Sequence, residues 1–234
     1  MNKHPFRSAP ALAARCLLVA GCNTSVNEDI EVAAGAPHDG SSMTVNGDVR
    51  VEPGADASDS NFRTVNGEIR LGDGAKVKDC ATVNGTVDVG EGVRAGDLET
   101  VNGNLRLGRD SQVKGHVKVV NGYIEIGTGS HVEGFVASVN GKIELDGARV
   151  GGDLTNVNGG MLVTRGSVVE GDLVVKDPGE DRHSRVPRII IGPDSKVLGD
   201  LRFERPVELF VHTTAEIGSV DGAEAVEFSG DEPG

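Results

Sequence analysis

The residues whose types and spacing could do chemistry are a recurring asparagine, a few histidines, three cysteines and a set of acidic turn residues. The asparagine recurs at Asn27, Asn46, Asn66, Asn84, Asn102, Asn121, Asn140 and Asn158, at intervals of 19, 20, 18, 18, 19, 19 and 18 residues. A carboxamide carries both donors and an acceptor, so one amide per repeat can bond to the next along a stack, as amides do in cross-β assemblies. A ligand site needs unlike residues converging on one place, whereas a ladder needs the same residue in every unit. These eight asparagines are read as a structural ladder.

The histidines form no metal set. In repeat register His131 aligns with Gln112 and His116 with Phe135, so these two lie in different columns; His38, His183 and His212 are scattered. No CxxC, HxH or HExxH is present to supply zinc ligands. Calcium-binding repeats need aspartates at fixed offsets. Here the turns change from Gly72-Asp73-Gly74 to Gly90-Glu91-Gly92 to Gly108-Arg109-Asp110, which reads as turn chemistry. A polysaccharide-cleaving solenoid would pair carboxylates in an aromatic cleft, yet the chain has one tyrosine, Tyr123, and no tryptophan. No Ser-His-Asp or Cys-His arrangement emerges. The expectation is no catalytic residue, no cofactor and no metal.

The elements that carry these residues follow from the repeat itself. Val-Asn-Gly or a close variant opens units such as TVNGDVRV from Thr44, TVNGEIRL from Thr64 and VVNGYIEI from Val119. After each asparagine, apolar and polar residues alternate, as in Ile69-Arg70-Leu71 and Ile124-Glu125-Ile126, which is the period-2 signature of a strand with one buried face. A Gly- and Asp-rich turn follows, then a second alternation such as Ala75-Lys76-Val77, then a third apolar position such as Leu98 or Val117. Each unit is therefore a coil of three short strands, with Asn-Gly as one corner, where glycine tolerates positive φ. The strand phase is read with Val83, Val87 and Val89 inward and Thr82, Thr86 and Asp88 outward. Thr44, Thr64, Thr82 and Thr100 then form an outward column. Flat threonine arrays are what ice-binding solenoids display, but this column continues as Val119, Ser138 and Asn156, so it is read as an ordinary β-branched row.

Self-similarity at this period predicts an all-β, single-domain, right-handed parallel β-solenoid of about ten coils of 18–20 residues. At ~4.8 Å per coil the rod is about 50 Å long. The solenoid is expected over residues 25–222, with an inserted polar loop at 177–187 and an acidic tail at 223–234. Later coils lack Val-Asn-Gly but keep strands such as Arg188–Gly192 and Val207–Val211. Thirty-four glycines, 3% aromatic residues and 37% hydrophobic residues suit a narrow core of valine, isoleucine and leucine.

The net charge is −13, and Lys3, Arg7 and Arg15 precede Cys22 without an acid, so the remainder carries −16. An acidic rod is a poor partner for nucleic acid, which needs Lys and Arg against phosphate. The same basic residues lead into a short apolar run, Cys16-Leu17-Leu18-Val19-Ala20-Gly21, that stops at Cys22. Val19-Ala20-Gly21-Cys22 resembles the lipobox of bacterial lipoproteins. The resemblance implies a signal peptide over 1–21, cleavage before Cys22, acylation of Cys22 and a short anchor over 22–24. Asn23 beside it, rather than aspartate, implies the outer membrane, with the protein facing the periplasm or the surface. Cys80 aligns with Leu98 and is read as a small buried hydrophobe.

The phrases Ala148-Arg149-Val150-Gly151-Gly152-Asp153-Leu154 and Ser167 to Leu173 resemble the coils of bactofilins, the polymer-forming cytoskeletal solenoids. The Val-Asn-Gly-x-Ile-x-Leu phrase is similar to the repeats of exported bacterial adhesin-type solenoids. The lipobox departs from the bactofilin pattern. Together these resemblances imply a non-enzymatic, lipid-anchored cell-envelope rod with a structural, scaffolding or adhesive role. Its expected partners are the membrane through its lipid, and further copies of itself or another envelope protein. Two alternatives stand beside it: a binding module whose acidic face recruits a cationic envelope partner, and an enzyme acting on envelope polysaccharide.

Overall fold

The computed structural model describes residues 23–35, 38, 40–179, 185–230 and 232–233. The leader segment with Cys22, and His183 in the insertion, lie outside them. The described residues contain no helix and form three parallel sheets of eleven, eleven and nine strands. The chain visits sheet 1, sheet 2 and sheet 3 in turn and then repeats, giving a β-solenoid of about ten turns. One coil shows the plan, with Leu98–Asn102 in sheet 1, Leu105–Leu107 in sheet 2 and Gln112–Val113 in sheet 3. Register is kept from coil to coil, so Leu98 lies between Cys80 and Val117, and Leu105 between Val87 and Ile124.

The core runs down the axis as stacked columns. Leu98, Leu105, Leu107 and Val113 are all buried in this coil. At about 2 kcal/mol per buried aliphatic side chain, one coil's core outweighs any single hydrogen bond at about 1 kcal/mol. Cohesion along the rod combines this stacked core with the backbone bonds between coils, such as Leu98 N–H to His116 O at 2.9 Å and Gly103 N–H to Asn121 O at 2.9 Å.

The strand phase in sheet 2 is the one read from sequence, with Val87 and Val89 buried. In sheet 1 it is reversed. Thr82 is 3% exposed and Val83 40%, and the same holds for Thr100 and Val101. The valine of each Val-Asn-Gly points outward and the threonine points in. Burial of the hydroxyl is tolerated because Thr64, Thr82 and Thr100 donate to the carbonyls of Gly47, Gly67 and Gly85 in the preceding coil, at 2.8, 3.0 and 2.9 Å. Alternation cannot be carried across a corner, and the Asn-Gly corner separates the two phases.

The corner glycine is also there for a different reason. Gly103 lacks positive φ, but a Cβ placed on it would lie 1.9 Å from the carbonyl oxygen of Gly85 below. Stacked corners approach too closely for any side chain.

The 177–187 insertion leaves the stack at this same corner, between Leu173–Val175 in sheet 1 and Arg188–Ile191 in sheet 2. Part of the segment read as an acidic tail is instead structured. Ala225–Phe228 adds to sheet 2 beside Glu208–His212.

Candidate functional site

The eight asparagines stand at the corner between sheets 1 and 2, exposed for most of their length, and their side chains bond in one line. Asn46 Nδ2 donates to Asn27 Oδ1 at 2.6 Å, and Asn66 donates to Asn46 at 2.9 Å. Asn84, Asn102, Asn121, Asn140 and Asn158 repeat the link at 2.7–2.8 Å, each donating to the coil before it. The direction never reverses. Each amide from Asn46 to Asn140 spends one donor and one oxygen on its neighbours, so the column is bonded along its own length. The last oxygen, on Asn158, accepts from Arg205 Nη1 at 3.0 Å.

A second polar line runs along the opposite end of sheet 1, where each coil enters the strand. Asp79 Oδ1 accepts from the backbone N–H of Asp97 at 2.9 Å, and Asp97 from that of His116 at 2.8 Å. His116 Nδ1 accepts from the N–H of Phe135 at 3.2 Å, which places its proton on Nε2, and its ring stacks on Phe135 at 3.9 Å. Asp153 and Asp172 continue the row to Asp172 and Asp200. The recurring Gly-Asp-Leu phrase was its sequence signal. Arg205 had none, because it lies beyond the insertion.

Outward charges pair between neighbouring coils, as in Lys76–Asp56 at 2.7 Å, Lys118–Glu99 at 3.1 Å and Lys196–Glu216 at 2.8 Å. Such exposed pairs contribute little stability. They do shift titrations. Hydrogen bonds from Lys76 and Ser58 lower Asp56 to about 2. Partial burial, then the nearby Asp88 carboxyl, raises Glu68 against the pull of Arg70. Burial pushes the Cys80 thiol up, away from the reactive thiolate.

The remaining titratable groups do not converge. His131 faces outward in sheet 3, His38 packs on Phe62 with ring centroids 5.2 Å apart, and His212 bonds Thr214 at 3.0 Å. Among the described residues no group of three or more His, Cys, Asp or Glu is placed to hold a metal. No helix among them is long and apolar enough to cross a membrane.

Two of the larger open clefts among the described residues lie on the outer surfaces of sheets 2 and 1. One, of about 420 Å³, lies between sheet 2 and the returning insertion, under Val186 and Pro187. The other, of about 440 Å³, is a shallow trough on the outer face of sheet 1, lined by Ala81, Val65, Val83, Val101 and Val120 together with the charged Arg63, Glu99 and Lys118.

No protein-family model matches the chain, and neither a curated protein nor a solved structure is significantly similar to it.

Proposed function

We propose that the chain is a non-enzymatic structural rod of the bacterial cell envelope, held to the membrane by a lipid on Cys22. The uninterrupted solenoid carries this reading. Its most regular side-chain hydrogen bonds join one coil to the next, through the asparagine row, the aspartate row and the inward threonines. A rod built this way offers length and outer faces to a scaffold or an adhesive surface. The lipobox-like Val19-Ala20-Gly21-Cys22 supports the anchor, and the first strand, Asn23–Ser25, begins directly after it. Acylation there would seat the first coil end-on against the bilayer with no tether between them.

Labelling with a palmitate analogue and membrane fractionation test the anchor. The wild type should carry label and sediment with membranes, and Cys22→Ser should do neither. Equal membrane binding without label would overturn the lipid anchor, and turnover of an envelope polysaccharide by the purified chain would overturn the structural role.

A further inference from the structure

The outer face of sheet 1 differs from the other two. Val26, Val83, Val101, Val120 and Val139 are 37–59% exposed and form one outward row, continued by Val45, Val65 and Val157. Sheet 3 instead faces water with Asp56, Lys76, Arg94, Gln112, His131 and Arg149. Sheet 2 carries Arg50, Arg70, Asp88, Arg106 and Glu125 there, and its later apolar positions Leu162 and Ile190 lie beside Val186 and Pro187 of the insertion. Sheet 2 thus has a cover supplied by its own chain. Among the described residues the valine row has none, and contiguous exposed apolar surface marks an interaction site.

A neighbouring outward column identifies the occupant. Two residues before the valines from Val45 to Val157 stand Met43, Arg63, Ala81, Glu99, Lys118, Ala137 and Thr155, and the column continues as Val174 and Arg202 in coils where Lys176 and Glu204 take the valine position. We propose that a second copy of this chain packs on this face, antiparallel, about a two-fold axis that passes between the coils of Asn102 and Asn121. In that register Val101 meets Val120 of the second copy, Val83 meets Val139, and Val65 meets Val157. Glu99 meets Lys118, Ala81 meets Ala137, Arg63 meets Thr155 and Met43 meets Val174. In the flanking column, Asp97 meets His116.

The alternatives are worse. Sliding by one coil sets Glu99 against its own copy, or Lys118 against its own copy. Sliding by two sets Arg63 against Lys118 or against Arg202. A parallel arrangement with its axis between the two columns lays Arg63, Glu99 and Lys118 over the valines. Like charges brought face to face, and charges buried on apolar surface, both oppose association. A two-fold contact must be self-complementary, and this column satisfies that in one register alone among these. The constant amide spacing, 2.6–2.9 Å from Asn27 to Asn158, keeps coils of two copies in step over the whole row. Eight coils at ~4.8 Å and a strand width of roughly 13 Å bury about 1,000 Å² in total, the size of a weak, specific contact. The inference stands on this face and does not depend on the lipid anchor.

The test uses the full chain with Cys16→Ser and Cys22→Ser, leaving only the buried Cys80 thiol. Sedimentation velocity over a concentration series should show a monomer–dimer equilibrium. Val101→Lys should weaken it by at least about tenfold. Glu99→Lys should weaken it too, and adding Lys118→Glu should restore it, because the pair is then exchanged in both copies. Chains carrying Val101→Cys mixed with chains carrying Val120→Cys should form a disulfide-linked dimer on mild oxidation, while neither alone does so. A monomer at all concentrations would overturn the proposal. So would an assembly indifferent to Val101→Lys, or a disulfide formed by Val101→Cys chains alone.

Discussion

Arg205 donates from Nη1 to the side-chain oxygen of Asn158, a residue 47 positions earlier, at 3.0 Å. The same nitrogen reaches Val157 O, and Nη2 reaches Arg185 O, both at 3.3 Å. A cation thus stands at the oxygen end of a row of like-oriented amides. That is the electrostatically favoured end, as for a cation at a helix C-terminus. Arg205→Ala should cost about 1–2 kcal/mol in a denaturant melt by leaving partly buried oxygens unpaired. Within the row, Asn102→Ala loses links to both neighbours and should cost about 1 kcal/mol. Asn27→Gly loses one link, and glycine suits the φ of 65° there, so its cost should be smaller. Equal, negligible losses at Asn102 and Asn27 would refute a cooperative row.

Two glycines separate close approach from backbone conformation. Gly103→Ala puts a methyl group 1.9 Å from Gly85 O, so the coils must part locally, at a cost of several kcal/mol. Gly92 has φ of +64° and open space around its Cβ, so Gly92→Ala should cost only about 1–2 kcal/mol, as strain. Thermal midpoints of the two variants give the comparison. A larger loss at Gly92 would mean that the corners are not in contact.

Val83 and Val87 lie four residues apart on opposite sides of a corner, one outward and one fully buried. Val87→Asp buries an unpaired charge between coils and should cost several kcal/mol, or prevent folding. Val83→Asp should leave the midpoint nearly unchanged. If the two variants lose similar stability, the phase of sheet 1 is wrong.

Asp56 and Glu68 give opposite pH dependences. Asp56 is lowered to about 2, so its contribution is present above the ordinary carboxylate range and is lost as pH falls through about 2. Glu68 is raised, so it favours the folded state at low pH and loses that contribution as pH climbs through its folded value. Carboxyl NMR titration should show the two groups displaced in these directions. Lys76→Met should bring Asp56 back toward the usual range, and an Asp56 titration unmoved by that change would rule out the Lys76 pairing as its cause.

The solenoid was legible because similar coils repeat the strand alternation about ten times and the Val-Asn-Gly phrase, or a close variant, eight times. One ambiguous strand would not have sufficed, but Ile69, Val87, Leu105, Ile124 and Ile143 fall in register and are all buried. Sheet 1 misled for a definable reason. Hydrophobicity alone puts valine inside and threonine outside, and it takes the carbonyl of Gly85, one coil away, to make the Thr100 position polar and buried. The glycine corner was found by its residue type but attributed to positive φ, because contact between coils leaves no trace in a linear sequence. Arg205 escaped for the same reason, since its partner is reached across an insertion of unrelated composition.

From Asn66 to Asn140 each coil rests on the one before and the one after, and the links between them are nearly interchangeable. A duplication or deletion of 18 or 19 residues anywhere in that span would change the reach of the molecule by one strand spacing while making no new kind of join. Length is thus a quantity that gain or loss of whole repeats can adjust in steps, much as links are added to or taken from a measuring chain.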